Sequence, residues 1–191
     1  MTNAQTLSSL EGKLLIAMPG MGDPRFDRSV VFLCSHDDEG AMGLIINKPS
    51  AEVTFAALME QLKLTTADRL PEIPIYFGGP VEMGRGFILH SRAEYQNAST
   101  LAIDEHVGMT ATLDILEDIA TGQGPEHVIL ALGYSGWGPG QLESEIMENG
   151  WLTCDASPDL IFGATNEDKW SAALASLGVD PLTLSSSAGR A

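Results

Sequence analysis

Apolar runs in this sequence are short and are cut repeatedly by glycine and proline. Runs such as LLIAM at 14–18 and VILAL at 128–132 stop at Pro19-Gly20 and Gly133, and 191 residues hold 20 Gly and 10 Pro. Runs of this length suit buried strands, whereas a bilayer-spanning helix needs about 18–20 apolar residues. A chain so punctuated folds into many short strands with a few short helices between them. The β-branched and aromatic stretch at 29–34 reads as a strand, and 42–47 returns as its hairpin partner across His36-Asp37-Asp38-Glu39-Gly40 before Lys48-Pro49 ends it.

Further strands are expected near 14–18, 73–77, 86–91, 101–104, 108–112, 127–134 and 151–154. Thr54 can cap a helix through Leu62, with Phe55, Leu58, Met59 and Leu62 on one face. Other helices are expected at 114–121 and 141–148, with a last one from Thr165 or Asn166 to Leu177. Strands outnumber helices and do not alternate with them strictly, which argues an α+β fold rather than a doubly wound sheet. At about 150 residues per domain, the length implies one domain over 1–191, with tails at 1–10 and 184–191 that should fray.

Charge narrows the partners. The chain carries 10 Lys and Arg against 26 Asp and Glu, a net charge of −16. Such a field repels phosphate backbones and anionic membrane surfaces, so neither bulk nucleic acid nor a membrane is an expected partner. The start, MTNAQTLSSLEG, lacks the basic and apolar regions of a signal peptide, and two cysteines are too few for a disulfide scaffold. A reducing cytoplasm is the expected compartment.

The glycine-rich stretch 134–143 is expected to be a loop between a strand and a helix. A phosphate-binding loop would end in Gly-Lys-Ser/Thr, but Gln141 stands where the lysine would and Glu143 follows. The stretch reads instead as a sharp turn that lets Trp137 pack, with Gly136, Gly138 and Gly140 at positive φ or close backbone approaches. In an extended strand Cys34 and His36 would face the same side, where the imidazole could depress the thiol pKa. A catalytic pair also needs an orienting third group and an oxyanion hole, neither of which is identifiable, so Cys34 reads as a core filler. The histidines at 36, 90, 106 and 127 show no metal-ligand spacing, and no metal or cofactor is expected. Five of the ten basic residues, Arg25, Arg28, Lys48, Arg85 and Arg92, sit in or beside turns, and together they could form a positive spot on an acidic protein.

These turns also carry a resemblance. The stretches are MPxMxDxxFxxSVV from Met18, GAMGLIINKP from Gly40, FGGPV from Phe77 with RGFILH from Arg85, and GYxGWxxGQLExE from Gly133 with Asn149 and Trp151. In this order and over residues 10–165 the sequence resembles the YqgE/AlgH family. The resemblance implies a compact fold in which a branched, barrel-like, mainly antiparallel sheet is flanked by helices. Some members are labelled transcriptional regulators, but the family brings no established reaction, cofactor or catalytic residue. With no basic recognition helix in view, any regulatory effect is expected to be indirect.

The turns at 18–29, 47–49, 78–92 and 133–145 are therefore expected to converge on one surface of a non-enzymatic binding module. Its residues would be Asp23, Arg28, His36, Asn47, Lys48, Arg85, His90, Trp137, Gln141 and Glu143, and its partner a protein or a small anionic ligand. The alternative is a hydrolase or transferase for a small anionic substrate, with His36 or His90 as base and Arg85 as anion clamp.

Overall fold

Alternation in the first strands already shows how the core divides. In β1 (Lys13–Ala17) and β2 (Val30–Asp37), Leu14, Ile16, Phe32 and Cys34 enter one apolar cluster, while Leu15, Ala17, Val31 and Leu33 enter another on the opposite face. Both faces are covered, so these strands read as unbroken apolar runs. The computed structural model describes residues 9–20, 22–64 and 69–184. After β2 come β3 (Gly40–Ile45), β4 (Pro49–Thr54), α1 (Phe55–Leu62), β5 (Pro74–Phe77), β6 (Val81–Ser91), β7 (Leu101–Ala102) and β8 (Val107–Thr110). They are followed by α2 (Leu113–Ala120), β9 (Val128–Trp137), α3 (Gln141–Met147), β10 (Trp151–Asp155) and α4 (Lys169–Ser176).

The main sheet runs β10-β1-β2-β3-β9-β6-β8-β7, antiparallel throughout, and β5 joins off this path, parallel to β9 and antiparallel to β4. The branch lies on β9. Its middle pairs with β5 and β6, while Ser135, Gly136 and Trp137 pair with Gly43, Met42 and Ala41 of β3. Glycines make the branch physically accessible: Gly78 and Gly79 follow β5 and cross β9 with backbone against backbone. The result is a single mixed α/β domain with a curled, largely antiparallel half-barrel sheet, as the α+β expectation required. Helices α1 and α2 cover Ile75, Ile88 and Leu130, α4 covers the β1–β2 face through Trp170, Ala173 and Leu174, and Leu142 of α3 packs on the other face. Among the described residues no helix is long and apolar enough to cross a membrane.

Several boundaries differ from expectation. The strand at 127–134 continues to Trp137, so the first part of the supposed glycine loop belongs to β9. Positive φ falls at Gly133 and Gly140 rather than at Gly136 or Gly138. Strand β6 begins at Val81, because residues between Val81 and Gly86 bulge out of register with β9 instead of forming a loop. The chain past Lys48-Pro49 forms β4, which is paired only at its ends, and α4 starts at Lys169 after a turn closed by Thr165. The single π-helical turn Asp159–Gly163 had no expectation. Of the tails expected to fray, residues 1–8 and 185–191 lie outside the described residues. Leu10 is held instead, its amide donating to His36 Nδ1 at 2.9 Å.

Lys169 is buried, and among the described residues no carboxylate lies within salt-bridge distance of its ammonium. Its ammonium donates to the Ile46 carbonyl at 2.7 Å and to Asn166 Oδ1 at 3.1 Å, and lies 5.3 Å from the Tyr76 ring centre. Burial pushes its pKa down to about 8. The unfolded value is about 10.4, so between these values the folded chain binds fewer protons and this group's contribution to stability improves as pH rises. The stability difference between Lys169→Met and the natural chain is therefore expected to move in the natural chain's favour by about 3 kcal/mol as pH rises from about 8 to about 10.4, read from urea melts across the range.

Candidate functional site

The end of β9 leads directly into the site. Gly140 adopts a left-handed conformation at φ 72° and starts α3, and Gln141 Oε1 accepts the Gly138 amide at 3.0 Å. Four residues further on the same helical face, Glu145 reaches back. Its Oε1 accepts from Gln141 Nε2 at 3.1 Å, and its Oε2 accepts both the Trp137 and Trp151 indole N–H groups at 2.8 and 2.9 Å. The two indoles meet edge to face at 5.9 Å, and Phe26 meets Trp151 the same way at 5.8 Å. Above this aromatic wall lies a cleft of about 620 Å³ bordered by Pro19-Gly20 and residues 23–26, Pro80-Val81, Gly136-Trp137, α3 and residues 148–151. A shallower cleft of about 570 Å³ continues beyond Val81, Gly136 and Trp137, over Met42, Phe87 and Tyr134.

Three of the expected residues border the first cleft: Asp23, Trp137 and Gln141. Asp23 caps the turn at Arg25 and also holds that guanidinium at 2.8 Å, which keeps its carboxyl below the usual range. Arg85 borders the second cleft, 5.0 Å from the Phe87 ring centre and 3.6 Å from Glu82. The remaining expected residues stand apart from both clefts. Asn47 clamps the preceding turn, accepting the Val30 amide and donating to the Arg28 carbonyl, while the Arg28 guanidinium lies over Trp170 at 5.3 Å. Lys48 is half-buried, and its carbonyl accepts the Phe77 amide. His90 is fully buried, bonded to Thr110 Oγ1 at 2.8 Å and edge-on to Tyr95, and burial lowers its pKa. Thus of the turns expected to converge, parts of 18–29, 78–92 and 133–145 border the first cleft, through residues 19–20 and 23–26, Pro80-Val81, Gly136-Trp137, Gln141 and Glu145, while Arg28, the 47–49 turn, His90 and Glu143 lie away from it.

His36 and Glu143 form a pair behind α3 rather than in the cleft. The register of β2 against β3 slips between Leu33 and Ser35, leaving Cys34 as an extra residue. That bulge turns His36 to the face opposite Cys34, which is why strand alternation misplaces it. An amide can only donate, so the Leu10 N–H makes His36 Nδ1 an acceptor; the ring proton is then on Nε2, which donates to Glu143 Oε1 at 2.5 Å. The His36 hydrogen bond, more than any other contact, holds the Glu143 carboxyl below its usual range. Glu143→Ala strands a buried N–H and should cost about 1–3 kcal/mol at neutral pH. A carboxyl with lowered folded pKa stabilises above its unfolded pKa and loses that contribution as pH falls through the folded one. The gap between natural chain and variant should accordingly close on acidification, as followed by urea melts at neutral and acid pH.

Both cysteines are free and buried, and burial raises both thiols, Cys34 far more than Cys154. Slow modification of both by a thiol reagent in the native chain, and fast modification in urea, is the expected result. Elsewhere Glu94, Glu126 and His127 stand close enough to share a cation, but all three are exposed, and Glu94 already accepts from His127 Nδ1 and its amide.

Sequence reasoning overlooked Glu145 as the organiser of the cleft, along with Phe26 and Trp151. The spacing of Gln141 and Glu145 on α3 was the available signal. Nothing local shows that two indoles from different strands end on one carboxylate.

Comparison with known proteins now places the chain. The AlgH-like family model matches residues 14–182, and the chain belongs to this family. It is 58% identical to a UPF0301 protein of Ruegeria pomeroyi over 183 residues, covering 95% of this chain and 99% of that protein. Against a UPF0301 protein of Jannaschia sp. it is 59% identical over 184 residues, 95% of each. Its fold matches the solution structure of AlgH from Pseudomonas aeruginosa with a TM-score of 0.76 and 44% identity, over 96% of each chain. A crystal structure of a protein from Corynebacterium diphtheriae shares the fold at a TM-score of 0.67 and 22% identity, over 84% of this chain and 83% of that one.

Proposed function

We propose that this chain is a non-enzymatic cytoplasmic binding module whose cleft beside Trp137 captures a ligand or a segment of a partner protein, with any regulatory effect exerted indirectly. The observation that carries this reading is the cleft itself. Three motif-bearing turns, far apart in sequence, wall one concave surface around a rigid aromatic and carboxylate assembly. Its polar groups are arranged to hold shape rather than to move protons: Glu145 is engaged by two indoles and an amide. No Ser, Cys, His or Lys borders this cleft among the described residues, and both histidines considered as bases lie elsewhere. This weighs against the hydrolase or transferase alternative.

The test uses the three tryptophans as internal reporters. Indole N–H resonances of the nitrogen-15-labelled chain are followed while fractions of a cytosolic extract are added. Trp137 and Trp151 are expected to shift, and Trp170, whose indole is bonded to the Ala17 carbonyl under α4, is expected to stay put. Gln141→Ala should abolish the shift with little change in melting temperature. Fractions that leave Trp137 and Trp151 unmoved throughout, or an unaltered response in Gln141→Ala, overturn the proposal.

A further inference from the structure

We infer that the occupant of this groove is a basic, extended segment of a partner protein. The inference rests on the binding-module reading and names the partner's chemistry. The two clefts meet at Val81, Gly136 and Trp137, and Gly136 places no side chain on the saddle between them. A segment crossing that saddle passes from the wall formed by Phe26, Trp151 and Trp137 to the floor formed by Tyr134 and Phe87.

The charges along this path are one-sided. The first cleft is bordered by Asp23, Glu145 and Glu148 against Arg25, and the second by Asp37, Glu39 and Glu82 against Arg85. Asp23 neutralises Arg25, and Glu82 stands beside Arg85. Glu145, Glu148, Asp37 and Glu39 then have no cation within salt-bridge distance among the described residues. An anion entering here would meet two guanidiniums already balanced and four carboxylates that are not, within a chain of net charge −16.

An independent observation shows what the floor accepts. The exposed Arg85, carried on the out-of-register part of β6, lays its own guanidinium 5.0 Å from the Phe87 ring centre with a carboxylate beside it. An arginine from a partner segment would make the same contacts, an aromatic face below and an acidic rim at the side. Arg85 thus acts as an internal stand-in that the incoming side chain replaces.

The experiment titrates the labelled full chain with four probes: a nine-residue peptide with arginine at alternate positions, its glutamate and glutamine counterparts, and a linear tetra-amine. The arginine peptide is expected to shift the Trp137 and Trp151 indoles, with affinity that falls as salt rises. Glu148→Gln combined with Asp37→Asn, one change per cleft, should weaken it at least about fivefold. Glu60→Gln combined with Glu105→Gln removes the same charge from exposed positions outside both clefts and should change it less than about twofold. Arg85→Ala uncovers Phe87 and should tighten the arginine peptide, whereas a site for anions would be weakened by the same change.

Equal losses in the two charge-matched pairs would reduce the effect to overall charge and overturn the inference. So would tighter binding of the glutamate or glutamine peptide, or a tetra-amine that binds as tightly as the peptide. Should the arginine peptide leave Trp137 and Trp151 unmoved while an extract fraction shifts them, the inference falls and the binding module stands.

Discussion

Replacing Trp137 with alanine is expected to lower the unfolding free energy by about 3–5 kcal/mol, the range for emptying a well-packed aromatic site. The side chain is 7% exposed and packs with Leu15, Val31, Leu33, Ile45 and Leu142 against Trp151. Its loss opens a cavity between the sheet and α3 that neither can collapse to fill, because Ala41 and Trp137 are paired in the ladder. It also removes one of the two indole donors to Glu145 Oε2. Trp137→Phe keeps a six-membered ring at the site and loses the indole's second ring with its donor, so it should cost less than the alanine variant. Urea unfolding with an unchanged denaturant slope is the measurement. A loss below about 1 kcal/mol for the alanine variant would show that the indole does not anchor the cleft wall.

Gly79→Ala should be at least as damaging, at about 4 kcal/mol or more, with much of the chain recovered unfolded. A Cβ there would sit 2.1 Å from the Tyr134 carbonyl carbon and 2.4 Å from the Ser135 nitrogen, at a φ of 156° that side chains rarely adopt. The obstacle is backbone inside a strand, which cannot swing aside as the end of a flexible side chain could. Relief would require β9 to part from the chain that follows β5, and the same movement would carry Pro80 and Val81 away from the cleft. Gly84→Ala is the control: nothing lies within 4 Å of its Cβ position, and its effect should stay within about 0.5 kcal/mol. Similar thermal melts for the two variants would refute the tight crossing.

Much of the strand content was legible because burial on both faces writes itself into sequence as continuous apolar runs, as in 14–17 and 30–34. Helix α1 was legible for a different reason: the Thr54 hydroxyl accepts the Ala57 amide, and the apolar face repeats at helical spacing. The site was less legible, since its members were chosen by residue type rather than by direction. Asp23, Trp137 and Gln141 border the candidate cleft, whereas His90, included because a histidine in a motif suggests chemistry, lies buried against Thr110. His36 was set beside Cys34 because alternation was assumed to hold, and one unpaired residue in β2 reversed it.

By itself the sequence determined the short-strand α+β class, the excess of acidic groups and most element positions. These follow from local steric and hydrophobic preferences that each segment carries wherever it is placed. Only the tertiary structure decided that β9 would be shared by β3, β5 and β6, that Glu143 would turn inward to His36 while Glu145 turned toward the indoles, and that the basic turns would be outweighed by carboxylates along the groove. Those outcomes depend on register, on a single bulge and on side-chain contacts between separate elements, from Trp137 with Glu145, 8 positions apart, to His36 with Glu143, 107 positions apart. A strand's parity and a helix's rotation are set by what they pack against, and no local pattern encodes that partner.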